Sequence, residues 1–429
     1  MRKFFLAALA ALLLPGMAQA GDGKAVMLQW YKLVLELVRH TPTYSPPVAS
    51  RAFGYLGVTS YEVMAAGHPG SMQSLAGQLN ELQPLPKPEG EVDEAVAMQA
   101  ALALSVRDFF GNTGPSGQQA MDRMQETLQA QVTEGLDPDL VARSEAFGQA
   151  VAAHVFAWSQ SDGGAVVENL GFPRDYALNP EPGHWKPTST IALQQRPLLP
   201  DWGSNRPFAM PAGTSCPLPP PPAYSEDPAS EFYAQAKEVY DVTRALTEEQ
   251  KVIARFWSDD PMLSPTPPGH WISVTLELIQ SEKLDGPQAA DALMRLGVAV
   301  ADGFIGCWSA KYQYDLLRPV TYIKALIDKS WEPLLITPPF PEYPSGHSTQ
   351  SGAAEVVLAA IFGAEFAFTD ATHEADGLAP RPFPSFAAAA QEAAMSRLYG
   401  GIHFRAAIDL GLEQGRCIGA HTVALRTLQ

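Results

Sequence analysis

The sequence predicts an all-α protein, built from helical bundles and interrupted by long proline-rich loops. Three observations carry that expectation. Apolar residues recur at helical spacing along most of the chain, few segments alternate with period two, and prolines gather between about residues 171 and 228. From Lys24 to Arg39, the residues Met27, Trp30, Tyr31, Val34, Leu37 and Val38 fall on one side of a helix. Further helical stretches are expected near 47–67, 91–111, 115–135 and 138–161. The pattern then dissolves. Pro180 to Gly183, Arg196 to Pro200 and the run from Cys216 to Pro222 punctuate a segment that is either a linker or a loop system draped over the core. Helices resume at 229–258, pause over Asp259 to Gly269, and continue at 270–281 and 287–317. Pro319 bends or restarts the chain, because it cannot donate and clashes with the preceding turn. The last helices are expected at 345–362, 384–398 and 406–426. The division that follows is a leader over 1–20, an N-terminal helical region with its proline-rich connection over 21–228, and a second helical region over 229–429 that carries the chemistry.

The 429 residues are 46% hydrophobic and 17% charged, enough to bury a large core. Arg2 and Lys3, the apolar run Phe4 to Leu14 and the small-x-small site Ala18-Gln19-Ala20 read as a signal peptide, which implies a periplasmic or secreted protein. That run is short for a bilayer span of about 20 residues. No later uninterrupted apolar stretch reaches the length of such a span, so stable membrane insertion is not expected. A net charge of −17 argues against nucleic acid and anionic membranes as partners and leaves oligomerisation open. Of three cysteines, Cys216, Cys307 and Cys417, one pair can bridge in an exported chain, and the spacing does not choose among the three pairings. Cys307, inside a helical pattern, reads as a buried free thiol.

The chemistry lies in three short segments. Lys311 and Arg318-Pro319 come first, Pro344-Ser345-Gly346-His347 second, and Ser396-Arg397 followed by His403 third. Lys311 and Arg318 stand seven residues apart, two helical turns, and share a face if the helix continues to the proline. Arginine offers a planar fork to two oxygens, lysine a point charge. Ser345 is placed to cap a helix whose first amides lack partners, which makes an anion seat, and Gly346 lets backbone approach closely. His347 then stands where it can exchange a proton with a bound oxyanion. Gly400-Gly401 frees the backbone so that His403 can turn back toward Arg397. Each segment alone has a plain reading: a solvated basic face, an ordinary capped helix, a core histidine at a helix junction. Together they describe a cationic nest for phosphate or vanadate inside an acidic molecule.

These segments resemble the signature shared by vanadium-dependent haloperoxidases and type 2 phosphatidic acid phosphatases, over roughly residues 250–425. The resemblance implies an all-α fold with an anion at the core of its bundles. It implies that Lys311, Arg318 and Arg397 hold the oxyanion, that Ser345 and the Gly346 amide add hydrogen bonds, and that His347 is the acid–base residue. His403 becomes the ligand of vanadium or the acceptor of a phosphoryl group, and Lys311 polarises peroxide. Trp308 and Phe340 resemble residues that line a halide pocket, and Phe256 to Asp260 also resembles the peroxidase branch, where an aspartate pairs with the arginine of the last segment. Asp259 or Asp260 is therefore expected to bridge Arg397. One departure stands out: the carboxylate expected four residues after the last histidine is replaced by Ala407, and Asp409 lies two positions further. The activity implied is a vanadate-dependent oxidation of bromide or chloride by hydrogen peroxide. The alternative is an acid phosphatase that cleaves small phosphoesters through a phosphohistidine. The remaining histidines are assigned to surface or core, with only His270 placed near the site.

Overall fold

The computed structural model describes residues 22–189, 195–260, 262 and 264–429, so the leader expected at 1–20 lies outside the described residues. The first half contributes α1 (Gly23–Arg39), α2 (Pro46–Gly67), α3 (Glu94–Phe110), α4 (Pro115–Thr133), α5 (Pro138–Ser159) and the single turn α6 (Gly164–Val167). Local sequence starts them. Asp22 and Asp93 cap α1 and α3 by accepting from Ala25 N and Val96 N, and prolines open α2, α4 and α5, where a missing N–H costs nothing.

The second half carries α7 (Glu231–Arg244), α8 (Glu248–Phe256), α9 (Thr266–Ser281), α10 (Gly286–Tyr314), α11 (Pro319–Leu326), α12 (Gly346–Phe362), α13 (Phe386–Tyr399) and α14 (Arg405–Val423). The helix expected over 229–258 is two helices, because Thr247 and Gln250 form a capping box that begins α8. Helix α9 starts at Thr266 rather than at residue 270, with prolines in its first turn. Helix α10 stops at Tyr314 on the left-handed cap Asp315, so Lys311 and Arg318 are not on one helix. Arg318 is instead the N-cap of α11. Among the described residues the only sheet is the antiparallel pair β1 (Phe368–Asp370) and β2 (Arg381–Phe383), which joins Asp370 to Arg381.

Helix α10 is the axis of the molecule. It is buried almost throughout from Ala289 to Lys311, and one apolar core joins it to α1–α3, α5, α9 and α13. Each large side chain withdrawn from water there contributes about 1.5–3 kcal/mol. Glycines permit close helix approaches, two of them next to the axis and the site. A Cβ at Gly57 would stand 2.9 Å from Met294 Cα, so α2 and α10 meet backbone to backbone. A Cβ at Gly415 would lie 2.0 Å from Thr349 O, which presses α14 onto α12. Among the described residues no helix is long and apolar enough to cross a membrane.

The proline-rich segment is a draped loop system. The buried carboxylate of Asp302 accepts from Phe208 N, Ala209 N and Met210 N at 2.6, 2.9 and 2.8 Å. Trp185 N donates to Asp315 O and Leu198 N to Pro339 O, both at 2.8 Å. A Cys216–Cys417 disulfide fastens the segment to α14, which selects one of the three pairings, and Cys307 is the buried free thiol expected.

Candidate active site

His403 follows the left-handed Gly401 (φ 75°) and precedes Phe404, the N-cap of α14. Its Nδ1–H donates to Glu342 Oε1 at 2.8 Å, and the same oxygen accepts Phe404 N at 2.8 Å. Arg318 Nη1 donates to His403 Nε2 at 3.1 Å. An imidazole that donates from Nδ1 and accepts at Nε2 is neutral, with its lone pair on Nε2. Burial holds this ring well below the ordinary histidine range, and the charges of Arg318, Lys311 and Arg397 push it the same way.

Glu342 was not anticipated from the sequence. The expected carboxylate is absent at Ala407, and Asp409 is exposed. Glu342 replaces it from the other side of the ring, just ahead of the Pro-Ser-Gly-His motif. As the one acid between Phe340 and His347, five residues before the histidine, it was a visible signal. Burial raises its carboxyl to about 7, against the pull of Arg318 and Lys311.

Three cations act on His403, and all three are buried. Arg318 donates Nε to Phe340 O and Nη1 to Ile402 O, each at 2.9 Å, while Nη2 has no partner. Arg397, at the end of α13, donates Nη1 to Trp257 O at 2.7 Å and leaves Nε unpartnered. Lys311 differs from its expected role. Its Nζ donates to the carbonyls of Pro341, Glu342 and Pro344, so all three protons are spent on the loop that carries Glu342. Burial lowers Lys311 to about 7 and each arginine to about 10.

Ser345 caps α12 by accepting from Ser348 N at 3.3 Å, and its own N donates to Ala407 O at 3.0 Å. The Gly346 and His347 amides are the first of the helix and have no intrahelical acceptor. A Cβ at Gly346 would meet only ordinary contacts, Phe304 Cε1 at 3.7 Å and Trp308 Cζ3 at 3.8 Å. Protein packing does not require glycine here, and its absence of a side chain is compatible with close backbone approach by a ligand. Burial, helped by Arg397, lowers His347 to about 4, so its ring is neutral at ordinary pH.

Trp308 and Phe340 come together with ring centroids 4.9 Å apart. Lys311 Nζ lies 5.8 and 5.1 Å from the two ring centres, and Arg318 lies 4.9 Å over Phe340. Trp308 Nε1 donates to Leu198 O at 3.2 Å, so the draped loop fixes the indole.

The expected bridge from Asp259 or Asp260 to Arg397 does not form: no ion pair within 4.0 Å joins them among the described residues. Asp260 acts on Arg397 only at longer range. Asp259 turns instead to His270, which donates Nδ1 to its Oδ1 at 2.9 Å, and lies 3.7 Å from His347. His270, placed near the site, and His373, assigned to core or surface, both surround this aspartate. Their meeting was hidden because 103 positions separate them, 270 to 373, and only the fold brings them together.

The donor set fits an oxyanion such as vanadate. Arg318 Nη2 and Arg397 Nε are buried donors without partners, the α12 amides stand beside them, and His403 Nε2 offers a lone pair. Unpaired buried donors are costly, and an anion would satisfy them.

Residues 291–428 match the family described as VCPO second helical-bundle domain. Among solved structures, the chain is similar to a bacterial vanadium-dependent iodoperoxidase, with 38% identity, a TM-score of 0.87, and 95% of this chain and 97% of that chain covered. A holo-type bacterial vanadium-dependent chloroperoxidase shares the fold at 16% identity and a TM-score of 0.70, over 90% and 92% of the two chains. An apo-type chloroperoxidase does so at 15% and 0.66, over 89% and 93%. None of the curated proteins matches. The chain is an oxidoreductase of the peroxidase type. It belongs to the vanadium-dependent haloperoxidase family.

Proposed function

We propose that this chain, exported from the cytoplasm, uses vanadate as its cofactor to oxidise halide with hydrogen peroxide, iodide being the first substrate to test. The observation that carries the reading is the neutral His403, its Nδ1 proton on Glu342 and its Nε2 facing Arg318, in the field of three cations. His403 Nε2 would ligate the metal, Arg318 and Arg397 would bind oxygens through their unpartnered nitrogens, and the Ser345 and Gly346 end of α12 would complete the seat. Vanadate, when bound, supplies a Lewis-acidic centre that activates hydrogen peroxide toward a two-electron oxidation.

His347 accepts a proton from incoming peroxide, since its lowered pKa leaves a nitrogen free at neutral pH. Lys311 acts through its field, because its protons are committed to carbonyls. Trp308 and Phe340 give the halide an apolar wall beneath two cations, a seat for a large, weakly hydrated anion. The halide loses two electrons, the peroxide O–O bond takes them, and, with the proton returned from His347 and one more from solvent, hypohalous acid and water leave. Iodide rests on the 38% identical iodoperoxidase. The leader at 1–20 and the Cys216–Cys417 bridge both favour an oxidising compartment, periplasmic or extracellular.

The test is an assay of the purified chain with vanadate, peroxide and each halide, run beside hydrolysis of an aryl phosphate. Vanadate-dependent iodide oxidation, lost on His403→Ala, is expected. Aryl phosphate turnover with no vanadate-dependent halide oxidation would instead identify a phosphatase.

A further inference from the structure

Behind His347 lies a buried array that the oxyanion seat does not use. His270, on α9, donates Nδ1 to Asp259 Oδ1 at 2.9 Å and Nε2 to Asp370 Oδ2 at 2.8 Å. A ring with carboxylates at both nitrogens carries both protons. Burial alone would depress its pKa, but the two aspartates override that and raise it to about 10. Trp257 stacks on the ring at 4.5 Å between centroids and sets its plane. Asp370 is fixed in turn, accepting Thr372 N at 3.0 Å and Thr372 Oγ1 at 2.6 Å. The pairing of β1 with β2 holds that aspartate in place.

Asp259 is thereby aimed. Its Oδ1 takes Ser264 Oγ at 2.9 Å as well as His270, and its backbone is held left-handed at φ 49°, uncommon away from glycine. Its Oδ2 has no partner and faces His347 Nε2 across 3.7 Å, another buried atom without a partner. Two complementary orphans face each other with a short gap between them. Catalytic contacts of this kind tighten when a site is loaded.

We propose that His270, backed by Asp370, is a positioning residue for the reaction: through Asp259 it keeps the proton of His347 on Nε2, and so the lone pair on Nδ1, the nitrogen left for peroxide. This rests on the acid–base role given to His347 above. The chain is Asp370, His270, Asp259, His347, and its first two members touch no reactant. Asp259, His270 and His373 also offer ligand atoms within 4.8 Å of one another, as a cation site would. His270 could ligate only by surrendering a proton now bonded to a carboxylate, and a site built on Asp259 would repel vanadate.

The tautomers can be read without vanadate by ¹⁵N–¹H correlation spectra of histidine-labelled full chain, with His347→Gln used for assignment. Wild type should show His270 protonated at both nitrogens and His347 protonated at Nε2. In His270→Gln and in Asp370→Asn, His347 should become a tautomer mixture. With vanadate added, kcat for iodide should fall roughly ten- to a hundredfold while its KM stays close to wild type. A wild-type proton on Nδ1, an unchanged tautomer in the folded variants, or a stoichiometric zinc ion lost on His373→Ala would overturn the proposal. If His270→Gln does not fold, the wild-type spectrum and Asp370→Asn decide. Absence of halide oxidation beside an intact tautomer pattern would overturn the enzymatic role, while leaving the array as a device that orients the ring.

Discussion

Glu342 Oε1 accepts the Nδ1 proton of His403 at 2.8 Å, and it stands on the same loop whose carbonyls hold Lys311. One short segment therefore sets the tautomer of the ligand histidine and the position of the nearest ammonium. A carboxylate behind a metal-binding imidazole fixes its orientation and raises its basicity. Glu342→Gln should weaken vanadate binding about 10- to 100-fold. Titration of vanadate into the vanadate-free protein, followed by ⁵¹V NMR, measures this. An unchanged dissociation constant would show that the carboxylate has no such role.

Lys311 and Arg397 should behave oppositely when each is replaced by methionine. Lys311→Met leaves three buried carbonyls without their donor and should cost about 2–4 kcal/mol of stability in the vanadate-free protein. Arg397→Met gives up a single bond to Trp257 O and should cost about 1 kcal/mol, while removing most of the affinity for vanadate. Urea unfolding and vanadate titration of both variants separate the two roles. Equal stability losses would contradict the assignment.

Helical periodicity made most of the fold legible. Met27, Trp30, Tyr31, Val34, Leu37 and Val38 are all buried on α1, as their spacing implied. Local stops were harder to see. Thr247 with Gln250 starts a new helix within an otherwise continuous pattern, and Asp315 ends α10 in a left-handed conformation that no glycine announces. Of the site, the three cations and two histidines were legible because each sits in a short motif. His270 was placed near the site without its partners, and Glu342, His373 and Asp370 were not legible, because side-chain pairing across 100 positions, as between His270 and Asp370, is a property of packing. The aspartate expected on Arg397 went to histidines instead, and Arg397 donates Nη1 to Trp257 O.

The Cys216–Cys417 bridge closes a separation of 201 residues and pins the draped loop to α14, near the bond from Gln414 Nε2 to Cys216 O at 3.3 Å. Its removal in Cys417→Ser should cost about 2–5 kcal/mol. Thermal unfolding with and without reductant checks this: wild type should lose stability on reduction, and the variant should be insensitive to it.

His270 gives stability a definite pH dependence. Its folded pKa of about 10 lies above the ordinary 6.5, because Asp259 and Asp370 outweigh burial. The stabilisation is therefore complete below about pH 6.5 and is lost as pH rises through about 10. Relative to His270→Gln, wild type should be more stable by about 3–5 kcal/mol at mildly acidic pH. That advantage should shrink on the alkaline side. Denaturant titrations across this range test it, and an advantage that grows with pH would contradict it.

The most direct measurement is the anomalous scattering of vanadium in crystals of the chain grown with vanadate. One strong peak is expected at bonding distance from His403 Nε2, between Arg318 and Arg397 and beside the Gly346 amide. A peak among Asp259, His270 and His373, or none near His403, would contradict the assignment of the site.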